Sequence, residues 1–321
     1  MKKLILIIWV LAVSINCKAQ QHYTIRDVDG KKVIECTFQN GMLNGKYISY
    51  YPNGIKKSEG QYVNNQRQGI WSVWDAHGKK RVERDFRDAF TFTTVNAWDS
   101  MGMILTIAPQ NNAPYNIYDQ KLGYKPWYPI TEKEVGFSKR LWRTASPDSA
   151  VNKTIFENGR LYKALLKGLK DQSIKCYTDD ECQHAMDAGK LPAYEKTNIS
   201  ALRIKEDVFY NKTTRLAEIR IIGIGFESKT AENKSTTLCW FYFPDIRDFL
   251  AKQMLPGPLG KDILNLENIF TERYFSSSVY KESNVFDREI ADYKRGIAVP
   301  VESKRCEMQA IDNEFEYWYK K

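Results

Sequence analysis

The stretch Tyr50–Trp71, YYPNGIKKSEGQYVNNQRQGIW, decides the fold of the first third of the chain. Its first half returns 24 residues later within Val73–Phe86, VWDAHGKKRVERDF. At that shift Gly30, Gly54, Gly78 and Gly102 align, as do Phe38, Tyr62 and Phe86. Gly45 falls on Gly69, Tyr47 on Trp71, Asn40 on Asn64 and Glu59 on Glu83. Tyr50, Trp74 and Trp98 form a further aromatic row. Glycine and aromatic coincidences at one fixed period are the mark of a structural repeat.

The repeat predicts hairpins in series. Asn53-Gly54 supplies the positive φ values of a tight type I′ turn, and His77-Gly78 and Met101-Gly102 take the same slot. Between turns, Trp71 and Val73 alternate with Ser72 and Trp74, the period of a strand. Aromatics at one period stack across neighbouring strands and bury each other. One hairpin is marginal alone, so consecutive copies must create the core. The third copy decays, with Thr93 where Gly45 and Gly69 would recur. The expectation for residues 20–107 is an all-β repeat sheet.

Hydrophobic residues make up 43% of the 321 residues and aromatics 13%, enough for a sizeable core. Lys2 and Lys3 precede an apolar run, Leu4–Val13, which is too short to span a bilayer. With small side chains at Cys17 and Ala19, residues 1–19 read as a secretory signal peptide cut after Ala19. The other reading is lipoprotein processing at Cys17, which would leave a lipid anchor. The leader holds three basic residues and no acid, so 45 basic residues face 39 acidic ones in the remainder. That modest excess is scattered, which argues against nucleic acid as a partner.

Export permits disulfides. Cys36, Cys176, Cys182, Cys239 and Cys306 survive cleavage, and CYTDDEC makes Cys176–Cys182 the candidate bridge. A metal site of Cys176, Cys182, His184 and Asp180 matches no standard zinc spacing. The three histidines, His22, His77 and His184, are scattered, and no nucleophile–base spacing involves them. Gly223-Ile224-Gly225 lacks the rest of a dinucleotide fingerprint and reads as a bulge or a close backbone approach. The acid pairs Asp179-Asp180 and Glu206-Asp207 read as solvated faces. No catalytic, cofactor-binding or metal residue is expected, and the chain reads as a non-enzyme.

Residues 108–129, rich in Pro, Asn and Tyr, read as a linker lying against another part of the fold. Thr131 and Glu134 form a capping box, and Val135, Leu141 and Trp142 share a face of the helix it would open. Leu161, Ala164, Leu165 and Leu169 line a second helix. ALRIKEDVFY and RLAEIRIIGIGFE flank the turn NKTT as an antiparallel pair. TTLCWFYFP, apolar on both faces, reads as a central strand ended by Pro244. DIRDFLAKQ, NLENIFTERYFSSSVY and IDNEFEYWYKK read as helices. Residues 130–321 therefore predict an α+β domain with a mainly antiparallel sheet and packed helices. Two clusters are candidates for partner binding: Tyr274, Phe275 and Tyr280 with Asn284 and Asp287, and Trp142 with Arg143.

These motifs carry two resemblances. NGKYISYYPNGIKKSEGQYVNN resembles the bacterial MORN-like repeats over residues 27–107. That likeness implies an interaction module without chemistry, with an envelope-binding or immunity-type, antitoxin-like adaptor as the alternative function. EVGFSKRLWR, LRIKEDVFYNKTTRLAEIRIIGIG, LCWFYFPDIRDFLA, ENIFTERYFSSSVYKESNVFDREI and EFEYW occur in order. Together they resemble the GldN/PorN family of the type IX secretion and gliding motility machinery over residues 124–321. This likeness implies a periplasmic structural subunit with no cofactor, peripheral to the outer membrane. It further implies a ring built with a GldK/PorK-like lipoprotein and contact with a GldM/PorM-like inner-membrane protein. The repeats ahead of it would add a docking surface for a further subunit or the envelope.

Overall fold

The computed structural model describes residues 19–87, 92–105, 117–192, 199–229, 235–257, 259 and 263–318. Residues 1–18 of the expected leader and residues 108–116 of the expected linker lie outside them. The chain divides into two units, Met1–Thr106 and Ile107–Lys321.

The first unit is a seven-stranded antiparallel meander in chain order. Its strands are β1 (Gln21–Arg26), β2 (Lys32–Gln39), β3 (Met42–Tyr50), β4 (Lys56–Val63), β5 (Gln66–Trp74), β6 (Lys80–Phe86) and β7 (Phe92–Ala97). One face carries the repeat aromatics. Tyr47, Tyr62, Trp71 and Phe86 are buried, and successive rings meet at 5.1–6.3 Å between centroids. Gly60, paired with Tyr47, is what lets this ladder close. A Cβ there would lie 2.3 Å from the Trp71 ring.

The turns differ from expectation. Both residues have positive φ at Asn40-Gly41 and at Asn64-Asn65, so the tight type I′ turns join β2 to β3 and β4 to β5. At Asn53-Gly54, His77-Gly78 and Met101-Gly102 only the glycine has positive φ. These are wider turns, closed by bonds such as Gly78 N–H to the Asp75 carbonyl (3.0 Å). An acidic side chain holds three of the four wide turns. One Oδ of Asp27, Asp75 or Asp99 accepts the N–H groups two and four residues on, at 2.8–3.0 Å. A single side-chain acceptor thus replaces the second positive-φ residue that an I′ turn requires.

Three of the wide turns are flanked by a bulge. Arg26 faces Lys32, Tyr50 faces Lys56 and Trp74 faces Lys80, each just past a register shift. In a regular strand residues i and i+3 point to opposite sides. The extra residue corrects this, so Lys32, Lys56 and Lys80 pair with Glu35, Glu59 and Glu83 at 2.5–2.9 Å. On that same face Lys32 lies over Tyr50 (4.9 Å), Lys56 over Trp74 (5.0 Å) and Lys80 over Trp98 (6.0 Å). A bond from Tyr50 lowers the Glu35 carboxyl pKa; Lys56 does the same at Glu59 and Lys80 at Glu83.

The second unit is built on a five-stranded antiparallel sheet of order β11-β10-β9-β8-β12. The strands are β8 (Val135–Ala145), β9 (Ala201–Asn211), β10 (Leu216–Lys229), β11 (Ser235–Tyr242) and β12 (Ser278–Glu282). The helices are α1 (Lys153–Phe156), α2 (Arg160–Lys170), α3 (Phe243–Ala251), α4 (Leu266–Thr271), α5 (Ile290–Tyr293) and α6 (Ala298–Asn313). Leu202, Ile204, Ile221, Ile224 and Phe241 pack against Leu161, Leu165 and Leu169 of α2, with Ile246 and Leu250 of α3. Further along the sheet, Leu141, Val208 and Val279 pack against Cys306 and Ala310 of α6.

Four expectations need correction here. The Thr131–Glu134 box forms, with Glu134 accepting from the Thr131 N–H (2.8 Å) and hydroxyl (2.9 Å), but it caps a single 3-10 turn. That turn leads into strand β8, not a helix, because Leu141, Arg143 and Ala145 alternate inward against β9. The strand TTLCWFYFP is an edge, not the centre. Its inner face meets the helices through Cys239 and Phe241, while Trp240 on the other face lies over Gly225 and pairs with Tyr177. The stretch expected as one helix from Asn265 onward is α4, a turn and then β12, and α6 begins thirteen residues before Ile311.

Candidate interaction surface

Among the described residues of the second unit, the two most exposed large apolar side chains follow β12. It pairs with β8 through Val279–Arg143 and Lys281–Trp142, with a bulge at Tyr280. Beyond it, residues 283–289 form a loop organised by one side chain. Asn284 Nδ2 donates to the carbonyls of Glu282 and Arg288, both at 2.8 Å. Its Oδ1 accepts from the Phe286 N–H (3.1 Å) and the Arg288 N–H (3.0 Å). Lys281 pairs with Asp287 (2.6 Å), Lys281 and Glu289 form a β-bridge, and Glu289 and Asp292 form the capping box of α5. So held, Val285 is 96% exposed and Phe286 72% exposed. An ordered loop with an apolar tip suits a protein contact, because little ordering entropy is left to lose on binding.

The residues singled out in the sequence divide among several places. Asn284 and Asp287 build this loop, and Tyr280 stands at its root beneath Arg203 (4.2 Å), its hydroxyl pushed up to about 12 by burial. Tyr274 is partly exposed, while Phe275 turns inward to Phe270 (6.0 Å). Both sit before β12, away from the loop. Trp142 and Arg143 are inside the domain. The Trp142 indole N–H donates to Asp180 (2.6 Å), and Lys281 lies 4.6 Å from its ring. Sequence reasoning does not single out the tip residues Val285 and Phe286. Their signal is an apolar pair stranded in the polar, turn-forming run SNVFDR.

Arg143 is the centre of a buried ionic cluster between the two apolar cores. It bonds Glu206 through Nε and Glu307 through Nη1 (3.0 Å). Arg273 also reaches Glu206 (3.0 Å), and Lys304 reaches Glu307 (2.6 Å). Burial alone would raise the Glu307 carboxyl, but Lys304 and Arg143 outweigh it and hold the group at about 2. The cluster ties α6 and the turn after α4 to β8 and β9.

The candidate bridge Cys176–Cys182 is not formed, and both residues are free thiols. The segment is a hairpin closed by Met186 N–H to the Cys176 carbonyl and by the Tyr177–Ala185 bridge. Cys176 therefore sits at its base and Cys182 in its tip. Asp180 and Glu181 of the same hairpin bind the buried Lys205, its Nζ donating to the Asp180 carbonyl (2.7 Å) and pairing with Glu181 (2.7 Å). His184 is exposed against Asp179 (3.0 Å). Elsewhere Glu282, Glu302 and Cys306 converge, but Lys139 and Arg305 occupy both carboxylates.

Residues 130–319 match the family described as gliding motility associated protein GldN. The chain belongs to the GldN family. The match takes in the whole five-stranded sheet, the ionic cluster and the exposed loop, so all of these are parts of a GldN-family domain. Comparison with curated proteins gives no match. Among the described residues no helix is long and apolar enough to cross a membrane.

Proposed function

We propose that this GldN-family chain is a non-enzymatic, periplasmic assembly subunit of a type IX secretion or gliding motility complex. The observation that carries the reading is the family match over residues 130–319, joined by an ordered apolar tip on that same domain. Buried Arg143, Lys205, Glu206, Arg247, Glu267 and Glu307 are paired into bridges that hold elements together. The partners are a GldK/PorK-like lipoprotein and a GldM/PorM-like inner-membrane protein, within an oligomeric ring peripheral to the outer membrane. Residues 20–107 are a repeat docking module, 108–129 join it to the GldN-like domain at 130–321, and 1–19 are the export signal.

Affinity purification of the tagged protein from envelope extracts, with mass spectrometry of the captured proteins, tests this. Capture of lipoprotein and inner-membrane partners of those two kinds is the expected result. A single unrelated partner, with secretion unaffected by deletion, would sink the reading in favour of a stand-alone envelope-binding or immunity-type adaptor.

A further inference from the structure

Trp142 of β8 and Lys205 of β9 are paired across the two strands. By strand alternation they point away from the face that packs on α2, where the neighbouring Ile204 lies. The hairpin 176–186 crosses over them. Its base belongs to the fold: Cys176 is part of the apolar core, and Tyr177 exchanges both backbone bonds with Trp240 at 2.8 Å. Its tip is different. Residues 178–184, TDDECQH, carry no large apolar side chain. Asp179 holds the tip in shape by accepting from the N–H groups of Gln183 (3.2 Å) and His184 (2.9 Å). Two acids then meet the sheet. The Trp142 indole N–H donates to the Asp180 carboxylate (2.6 Å), Lys205 Nζ pairs with Glu181 (2.7 Å), and Arg140 reaches Glu181 (3.5 Å).

We propose that residues 178–184 are a strap that yields the Trp142–Lys205 site to an acidic segment of another protein, one bearing two successive carboxylates as Asp180 and Glu181 do. The inference rests on the assembly reading above for the existence of a partner, and it names the kind of segment that partner brings. The seated acid pair shows the chemistry that the indole, ammonium and guanidinium groups accept. The latch is a weak one, because Glu181 keeps half of its side chain in water (53%) and an ion pair so exposed contributes little and is screened by salt. The donors do not depend on the strap. Arg140 is fixed by two bonds to Asp207 (2.7 and 3.1 Å), and β8–β9 pairing holds Trp142 and Lys205. Lifting the tip leaves Lys205, only 1% exposed, with no ion pair among the described residues. A cation so placed favours an incoming carboxylate over an empty site.

Cys182 in the tip reports opening, because it is half-buried while the other four described cysteines are buried. In the full mature chain, its reaction with a maleimide should quicken about tenfold when Asp180→Asn and Glu181→Gln are combined, with far-UV circular dichroism unchanged. An unchanged rate would overturn the latch. The probe for the site is a fluorescent peptide of Thr178–His184 carrying Cys182→Ser. Anisotropy should show it binding the double variant at least about tenfold more tightly than the wild-type chain, whose own tip competes for the site. Binding should be lost when Lys205→Met is added to the double variant, or when the peptide itself carries the two amide substitutions. A strap with a merely structural role would loosen without creating peptide binding, and that result would overturn the proposal. No peptide binding with envelope partners still captured defeats this inference alone. Peptide binding with no such partners captured defeats only the functional reading.

Discussion

Glu307 shows how far one residue's charge can reach. Its carboxyl sits at about 2 against an ordinary 4.5, because Lys304 and Arg143 outweigh the cost of burial. A folded-state pKa below the unfolded one stabilises the protein at any pH above the unfolded value, and that stability is lost as pH falls through the folded value. The pair of values corresponds to about 3 kcal/mol, present above roughly pH 4.5 and lost between there and about pH 2. Urea unfolding at a series of pH values should show this acid limb, and Glu307→Gln should flatten it. At pH 7 the same substitution should cost roughly 3–5 kcal/mol, since it leaves buried Arg143 short of a partner. Sequence offers little warning of this. Arg143 reads as a surface basic residue beside a tryptophan, but its partners lie 63 and 164 residues away. No local pattern encodes such a pair. Asn284 is legible as a loop residue; that its amide holds Val285 and Phe286 outward is not.

At the scale of elements, the repeat sheet is the most legible part of the chain. A fixed 24-residue period places strands, turns and aromatic ladder, because each copy folds under the same local constraints. The turn chemistry departs from the type I′ expectation for a reason visible in Asp75: its carboxylate accepts two backbone N–H groups and makes a wider turn with one glycine sufficient. Gly60 makes a sharp prediction. Gly60→Ala would put a methyl against the Trp71 ring and should destabilise the sheet by about 1–3 kcal/mol, read as a lower urea midpoint by tryptophan fluorescence. An unchanged midpoint would mean that the ring can move aside and that the ladder is looser than its contacts indicate. β8 is the least legible element. Its apolar residues at 135, 141 and 142 fit a helical face by coincidence, while the true inward row includes the charged Arg143. Hydropathy alone cannot recognise a strand whose buried position is a guanidinium.

For the whole molecule, sequence motifs find the family in the second unit and a repeat in the first, and each unit's sheet has its own strand order. The proposed export has a direct consequence for the chain's first residue. Protein recovered from the envelope should begin at Gln20, as intact mass would show. A species retained from Cys17 and heavier by a lipid would instead make the chain membrane-anchored and replace cleavage after Ala19 with lipoprotein processing.

The recurring bulge also bears on length. Because each 24-residue unit restores the same face and the same Lys–Glu pair, one unit can be added or removed without disturbing register. Each one changes the sheet's width by two strands, about 9–10 Å. Copy number is therefore a spacer setting: it fixes how far the first strand stands from the last in increments that the chain cannot subdivide.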